Sequence, residues 1–342
     1  MRTVRVWLNH WFSTAYHIIE LIKRDTPLDF IIIASNREAN CVYRAVCDEF
    51  YIEPEYINKE QYTAYCLDFC REHSAEVFVP RRAMSAIAER RADFDALGVK
   101  VLAENDTELL STVSDKAAFY QACSGKGIGC IPPYMVVDTV TAFERAYSEL
   151  KTNEIRVCFK FARDEGAASF RVIDDRILDN GGLRNPFGTK ITYGNAVTLL
   201  TNTEQIPPII LMPYLSGAEV SADCLRTLRG DIIIPRFKTN GRAERVCFDK
   251  RIIDICKRIL ENFSFECPVN IQFKYDGDTP YLLEVNARMS GGIQLSCLAA
   301  DVNIPNIAVN KLLGIDKPWI VTPRDTVVSF VETPIEVTNA VD

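Results

Sequence analysis

Four polar side chains, Gln272, Glu284, Asn286 and Arg288, interrupt a segment that is otherwise written for a sheet core. Val269 to Tyr275 and Tyr281 to Arg288 flank the turn-forming run Asp276-Gly277-Asp278-Thr279-Pro280. Both flanks alternate with the period of two that strands require. A hairpin closed between Tyr275 and Tyr281 sets Gln272 opposite Glu284 and Asn270 opposite Asn286. Ile271, Phe273, Leu283 and Val285 then share the other face. One face is a core; the other gathers carboxamides and a carboxylate, where a merely solvated strand more often carries Lys, Glu and Thr. Hard oxygen donors on neighbouring strands suit Mg²⁺, which takes one or two carboxylates plus substrate phosphates. Arg288 can hold a phosphoryl group or a carboxylate through two nitrogens at once.

Cations recur along the rest of the chain. Arg156 to Phe161 reads as a strand with Lys160 among apolar neighbours, where a lysine must snorkel or meet an anion. In the hairpin from Asp231 to Arg245, Arg236 and Lys238 share a strand face that could seat an anion or simply be solvated. Ser114-Asp115-Lys116 opens a helix that Gly125 and Gly127 close. Thr141 and Glu144 form a capping box for a helix burying Phe143, Tyr147 and Leu150. Ile209 to Pro213 is an apolar strand leading through Tyr214, Leu215 and a turn to Glu219. It offers a slot for a flat ring and an acceptor for hydroxyls. Phe248, Ile252, Ile255, Ile259 and Phe263 have helical spacing and imply only a core face. Ser290-Gly291-Gly292 precedes a helix carrying Leu295, Leu298 and Ala299, so its loop lies where helices bind anions.

The first third alternates strand and helix: Val4 to Leu8, Tyr16 to Arg24, Phe30 to Ala34, Tyr62 to His73, Val77 to Val79, Met84 to Leu97, Val99 to Leu102. That rhythm implies a doubly wound parallel sheet. No Gly-x-Gly-x-x-Gly follows the first strand, which argues against a dinucleotide cofactor. Ligands of such sheets gather at strand C-termini, which flags the loop from His10 to Thr14 and the pair Arg81-Arg82.

The chain has 342 residues, a net charge of −7 and a pI near 5.3, which argues against a nucleic-acid partner. No apolar run approaches a membrane span, and Met1 to Val6 passes straight into a strand and not into a leader. Twelve scattered cysteines without a Cys-x-x-Cys pair, beside only three histidines, read as free core thiols of a cytoplasmic protein and not as a zinc site.

Gln272, Glu284, Asn286 and Arg288, followed by Ser290-Gly291-Gly292, resemble the metal and phosphate signature of the ATP-grasp superfamily. The likeness is to single-unit relatives of the carbamoyl-phosphate synthetase large chain, among them the ATP-grasp proteins associated with tellurium-resistance operons. The resemblance implies an α/β and α+β chain: a Rossmann-like lobe over residues 1–112, then a two-lobed ATP-grasp domain over 113–315. Within the latter, 113–212 would include the lobe covering the nucleotide and 213–315 the metal lobe. Residues 316–342 would be an extension, open to a role as edge strand or homodimer contact. It implies ATP with Mg²⁺ or Mn²⁺, the metal on Gln272, Glu284 and Asn286. Lys116 and Lys160 would meet phosphate, Met212, Tyr214 and Leu215 adenine, and Glu219 ribose. Arg288, Lys238 and Arg236 would act on the transferring group, with substrate at Ser290, Gly291, Gly292 and Arg81. The expected reaction joins a small carboxylate, such as an amino acid or peptide, to an amine or thiol through an acyl phosphate. A single unit argues against carbamoyl phosphate synthesis itself. The flap over the phosphates, Ala162 to Ser169, departs from the family by keeping one glycine, Gly166, with Ser169 as the other small polar contact. That departure leaves two alternatives: a nucleotide-binding regulator, or a phosphotransferase to a non-carboxylate acceptor.

Overall fold

The computed structural model describes residues 2–24, 27–55, 58–151, 155–164, 166, 168–176, 188–239 and 241–337. The chain divides into two units. One comprises Met1–Ser111, Glu219–Gln272 and Val285–Asp342; the other comprises Thr112–Ala218 and Phe273–Glu284.

In the first unit, strands β1 (Thr3–Asn9), β2 (Asp29–Asn36), β3 (Glu49–Ile52), β4 (Val77–Val79) and β5 (Lys100–Val101) form a parallel sheet of order β3-β2-β1-β4-β5. Both faces of its central strands are covered, so they are apolar almost without interruption. Val4, Val6 and Leu8 pack on one side with Ile18, Ile19 and Ile22 of the Ala15–Lys23 helix. Trp7 and Ile33 face the opposite core, where the Trp7 ring lies between Phe69 and Phe78, each 4.2 Å away between centroids. The strand order reverses between β1 and β4, the place where doubly wound sheets open a crevice. Two elements differ from the sequence reading. Glu49–Ile52 is a strand although it is short and only half-buried. The expected helix near Met84 to Leu97 breaks at Arg90 into Met84–Glu89 and Arg91–Ala96.

In the second unit, β6 (Met135–Val137), β7 (Val157–Phe161), β8 (Arg171–Ile173), β9 (Lys190–Ile191) and β10 (Ile209–Pro213) form a sheet of order β6-β10-β7-β8-β9. Its core packs Ile209, Leu211, Val157 and Phe159 against Phe143 and Tyr147 of the Val140–Leu150 helix. That helix is capped by Thr139, whose hydroxyl accepts from Ala142 N at 3.2 Å, so the cap falls two residues before the expected Thr141.

The third sheet contains β11 (Glu219–Thr227), β12 (Gly230–Lys238), β13 (Ala243–Val246), β14 (Val269–Asp276), β15 (Thr279–Asn286) and β16 (Thr326–Ser329), in the order β15-β14-β11-β12-β13-β16. The chain passes between the units within β14 and β15. β16 pairs antiparallel with β13, which makes the segment beyond Pro318 the source of an edge strand. The turn between β14 and β15 is only Gly277-Asp278, shorter than the five-residue loop expected. Gly277 takes the left-handed conformation (φ 55°) that such a tight turn demands. Leu282 and Val285 are both buried although three residues apart, while Leu283 and Glu284 are both half-buried. The alternation of burial therefore shifts by one residue and leaves both Glu284 and Asn286 half-buried.

Candidate active site

Within the second unit, two lysines and one carboxylate meet. The Lys116–Gly125 helix is capped by Asp115, whose side chain accepts from Ala117 N and Ala118 N. The cap fixes Lys116 as the first helical residue, and its side chain is 6% exposed. Its Nζ donates to Asp164 O at 2.7 Å and lies 3.5 Å from Glu284 Oε2. Lys160, on β7, is 9% exposed and donates from Nζ to Leu283 O at 3.1 Å. The same carbonyl accepts from the buried Tyr120 hydroxyl at 2.7 Å, which helps hold β15 in place. Burial above all, with the Lys116 charge adding to it and Glu284 only partly opposing, pulls the Lys160 ammonium down to about 8. An anion bound beside it would favour its charged form.

The register of β7 with β10 pairs Lys160 with Ile210 and Cys158 with Met212. Met212 and Leu215 are buried, and Tyr214 donates from N to Arg156 O at 2.8 Å. The Arg156 guanidinium covers the Tyr214 ring at 4.5 Å. This gives an apolar strand edge next to Lys160. In the segment from Ala162 to Ser169, Glu165 and Ala167 lie outside the described residues. Gly166 is exposed with φ 67°, so the backbone there uses a conformation glycine supplies at no cost. Ser169 is committed to the base of the loop: its hydroxyl donates to Asp164 Oδ2 and accepts from Phe161 N at 2.9 Å. Arg163 pairs with Asp115 at 3.1 Å.

In the first unit, Arg236 is 2% exposed, and protein groups surround its guanidinium. Nε donates to Asp223 Oδ2 at 3.1 Å and Ser296 Oγ at 2.8 Å, and one terminal nitrogen pairs with Glu244. The other donates to Ser290 Oγ at 3.1 Å and Ser221 Oγ at 3.4 Å. Burial opposes its charge, yet Asp223 and Glu244 together keep the guanidinium firmly protonated. A Cβ on Gly292 would lie 2.4 Å from an Arg236 nitrogen, so the loop approaches the guanidinium with no room for a side chain. Gly291 accepts through its carbonyl from Thr14 Oγ1 at 3.1 Å. Lys238 forms an ion pair with Glu219, bringing together two residues that the sequence reading gave separate roles. Gln272 donates from Nε2 to Asn270 Oδ1 at 3.2 Å, which commits its nitrogen and leaves the oxygen as donor atom for a cation. Asn286 accepts from Arg288 at 3.4 Å, and Arg288 also donates to Met289 O at 3.3 Å. Arg81 donates from its backbone N to Asn9 Oδ1 at 2.8 Å, and its guanidinium lies over the Phe12 ring at 4.4 Å. Arg82 covers Tyr62 at 5.5 Å.

Sequence reasoning passed over Glu244, Tyr120, Asp164 and Ser296. Glu244 had a signal, because β13 returns beside β12 and carries it opposite Lys238. The others are fixed only by tertiary packing.

Residues 205–334 match the family described as ATP-grasp in the biosynthetic pathway with the Ter operon. The carbamoyl phosphate synthase large chain of Clostridium acetobutylicum is 23% identical over 233 residues, covering 64% of this chain and 20% of that protein. The chain thus spans about a fifth of the length of this curated relative. Among solved structures, the ADP complex of an N5-carboxyaminoimidazole ribonucleotide synthetase superposes with a TM-score of 0.70 at 12% identity. That match covers 96% of this chain and 81% of the other. Biotin carboxylase from Campylobacter jejuni matches with a TM-score of 0.70 at 14% identity, covering 94% and 74%. An L-amino acid ligase from Bacillus licheniformis gives 0.61 at 14% identity, covering 91% and 75%. Among the described residues, no helix is long and apolar enough to cross a membrane.

Proposed function

We propose that the chain, an ATP-grasp protein, is an ADP-forming ligase that activates a small carboxylate as an acyl phosphate and passes it to an amine. The observation that carries this reading is the pair of buried lysines, Lys116 and Lys160, beside the half-buried carboxylate of Glu284, which pairs with Lys116. Burial, with the Lys116 charge beside it, lowers Lys160, and a polyphosphate bound next to the two lysines would favour their charged forms. Met212, Tyr214 and Leu215 give the neighbouring apolar edge that adenine needs. Gln272, Glu284 and Asn286 offer oxygens suited to Mg²⁺ or Mn²⁺, which when bound neutralises charge on the phosphates. Lys116 and Lys160 neutralise the transferring phosphoryl group, and Arg288 steadies the carboxylate that receives it. The reaction needs position and charge, with no protein nucleophile. A small carboxylate such as an amino acid or peptide, with an amine as acceptor, is the substrate pair that this site and the amino acid ligase likeness support; a thiol acceptor obeys the same chemistry.

One feature favours a second reading, a nucleotide-binding regulator: the loop before β8 has a single glycine, and Ser169 is tied to Asp164. Calorimetry of ATP and ADP with and without Mg²⁺, followed by ADP release with the twenty amino acids, separates the two. Under the ligase reading, binding requires Mg²⁺ and an amino acid stimulates ADP release. Glu284→Ala then loses at least about 100-fold in turnover while melting as the parent does. Metal-independent binding, unchanged in Glu284→Ala and without turnover, would establish the regulator. A phosphorylated acceptor without ligation would establish a phosphotransferase.

A further inference from the structure

β16 is the last strand of the third sheet, and among the described residues no strand pairs with its outer edge. From Thr326 to Val331 the chain carries no charge, and Val327-Val328-Ser329-Phe330-Val331 has the β-branched and aromatic make-up of a strand interior. Val328 is buried, whereas Val327 is 66% and Val331 87% exposed. Proteins usually blunt such an edge with lysine, proline or a bulge, because its N–H and C=O groups are a template for another strand. Here the charges stand outside the apolar run and hold it along β13. Arg245, opposite Val327, forms an ion pair with Asp325, and Arg242, one residue before Ala243, forms one with Glu332. These pairs carry the contact with β13 past both ends of the four-residue strand, between Pro323 and Pro334. Arg324 is spent differently. It is exposed, its Nε donates to Ala299 O at 3.0 Å, and among the described residues it takes part in no ion pair.

We propose that this edge pairs with the same edge of a second copy of the chain, antiparallel about a two-fold axis at Val328. Adjacent pairs of an antiparallel ladder alternate between hydrogen-bonded and open ones. A two-fold axis therefore passes only where one residue faces its own copy. With Val328 at the axis, Arg324 faces Glu332 of the second copy, Thr326 faces Phe330 and Asp325 faces Val331. Symmetry makes two Arg–Glu pairs, and no like charges meet. Centring on Val327 sets Arg324 opposite Phe330, and centring on Ser329 sets it opposite Pro334, so neither register gains a charge pair. Alternate residues share a face, which places Arg324 and Glu332 on the same side of the strand as Val328. The two oxygens of Glu332 suffice for Arg242 and for the incoming Arg324 together. The complementarity of the segment with itself is what selects a second copy over an unrelated strand, and the two-fold consumes both edges, so assembly stops at the dimer. The proposal stands apart from the ligase reading.

Sedimentation equilibrium of the full chain, with amide hydrogen exchange read at the same concentrations, tests this. An interface of one strand from each copy is small, so the parent should pass from monomer to dimer at about 1–100 µM. Exchange of the amides between Asp325 and Val331 should slow as the dimer fills. Arg324→Glu and Glu332→Arg each replace both Arg–Glu pairs by like charges and should weaken the dimer roughly tenfold. Both positions are exposed, so each variant should melt as the parent does. The double variant, Arg324→Glu with Glu332→Arg, restores opposite charges across the axis and should recover the parent's affinity. A parent that stays monomeric throughout overturns the proposal and leaves the edge to a strand of another protein. A dimer indifferent to both single reversals, or one that leaves the edge amides unprotected, has its interface elsewhere and overturns it as well. Growth beyond two copies overturns the closed two-fold.

Discussion

Arg236 shows how much a side chain's role depends on what closes around it. Two carboxylates and three hydroxyls occupy its donors, and the loop at Gly292 leaves no space beside it. The geometry makes it the anchor that ties the Ser290-Gly291-Gly292 loop to β12, whatever else it touches. Gly292→Ala pushes the guanidinium aside and disturbs its pairing with Asp223, which is 1% exposed. Separating one partner from a buried pair costs about 3–5 kcal/mol, so the expected loss in urea unfolding is at the low end, about 3 kcal/mol. Gly291→Ala is the control: its Cβ would meet only Thr14 Oγ1 at 3.7 Å, an ordinary contact, and should cost less than about 1 kcal/mol. Equal losses in the two variants would show that the loop, and not the arginine, responds.

At the scale of elements, β7 exists to hold a charge where none is comfortable. Its neighbours Val157, Cys158 and Phe159 are core, the register with β10 sets Lys160 opposite Ile210, and its ammonium is met by the Leu283 carbonyl. Lowered to about 8, Lys160 keeps its ammonium below that pH and loses it above, while an unfolded lysine stays charged to about 10.4. ATP must restore the missing proton when it binds at higher pH. Its affinity should fall by up to about tenfold per unit above pH 8, with proton uptake visible by calorimetry in buffers of different ionisation heat. Lys160→Met should abolish that slope, bind ATP weakly, and be more stable by about 1 kcal/mol, since burial no longer works against a charge. A parent whose ATP affinity is level from pH 7 to 9.5 would rule out this account. The strand and its lysine were legible in the sequence because an apolar run with one cation is rare. The Val77–Val79 strand was legible for the same reason of pattern. Other features had no local signature. β3 is short and half-buried, so Glu53, just past its end, could not be placed beside His10. The shift in burial at Leu283 and Glu284 breaks the alternation that the strand's sequence suggests. Arg236 and Lys238 read alike on their strand, and only tertiary packing around Arg236 separates a buried anchor from an exposed ion pair.

Across the whole molecule, the twelve cysteines are free, and their distribution makes the folded state sensitive to alkali. Cys47, Cys130 and Cys247 are half-buried, and the other nine are buried. Burial pushes the Cys123, Cys158 and Cys297 thiols up to about 12, and raises Cys66, Cys70, Cys224 and Cys267 as well. In the unfolded chain each ionises near pH 8.5. Between that value and its folded one, a buried thiol therefore holds a proton that the unfolded chain has released. Its contribution to stability is complete below about pH 8.5 and is lost as pH rises through the folded value. Both units carry such thiols, so the effect spans the chain. The melting temperature should decline steadily from pH 8.5 to 10.5, and Cys123→Ala with Cys158→Ala should flatten that decline. A thiol reagent at pH 8 should modify at most Cys47, Cys130 and Cys247 in the native protein. The other nine should react only at the rate of unfolding, because their access to solvent waits on it. Rapid modification of more than three thiols in the native protein would mean that one of these cores opens far more readily than its packing implies.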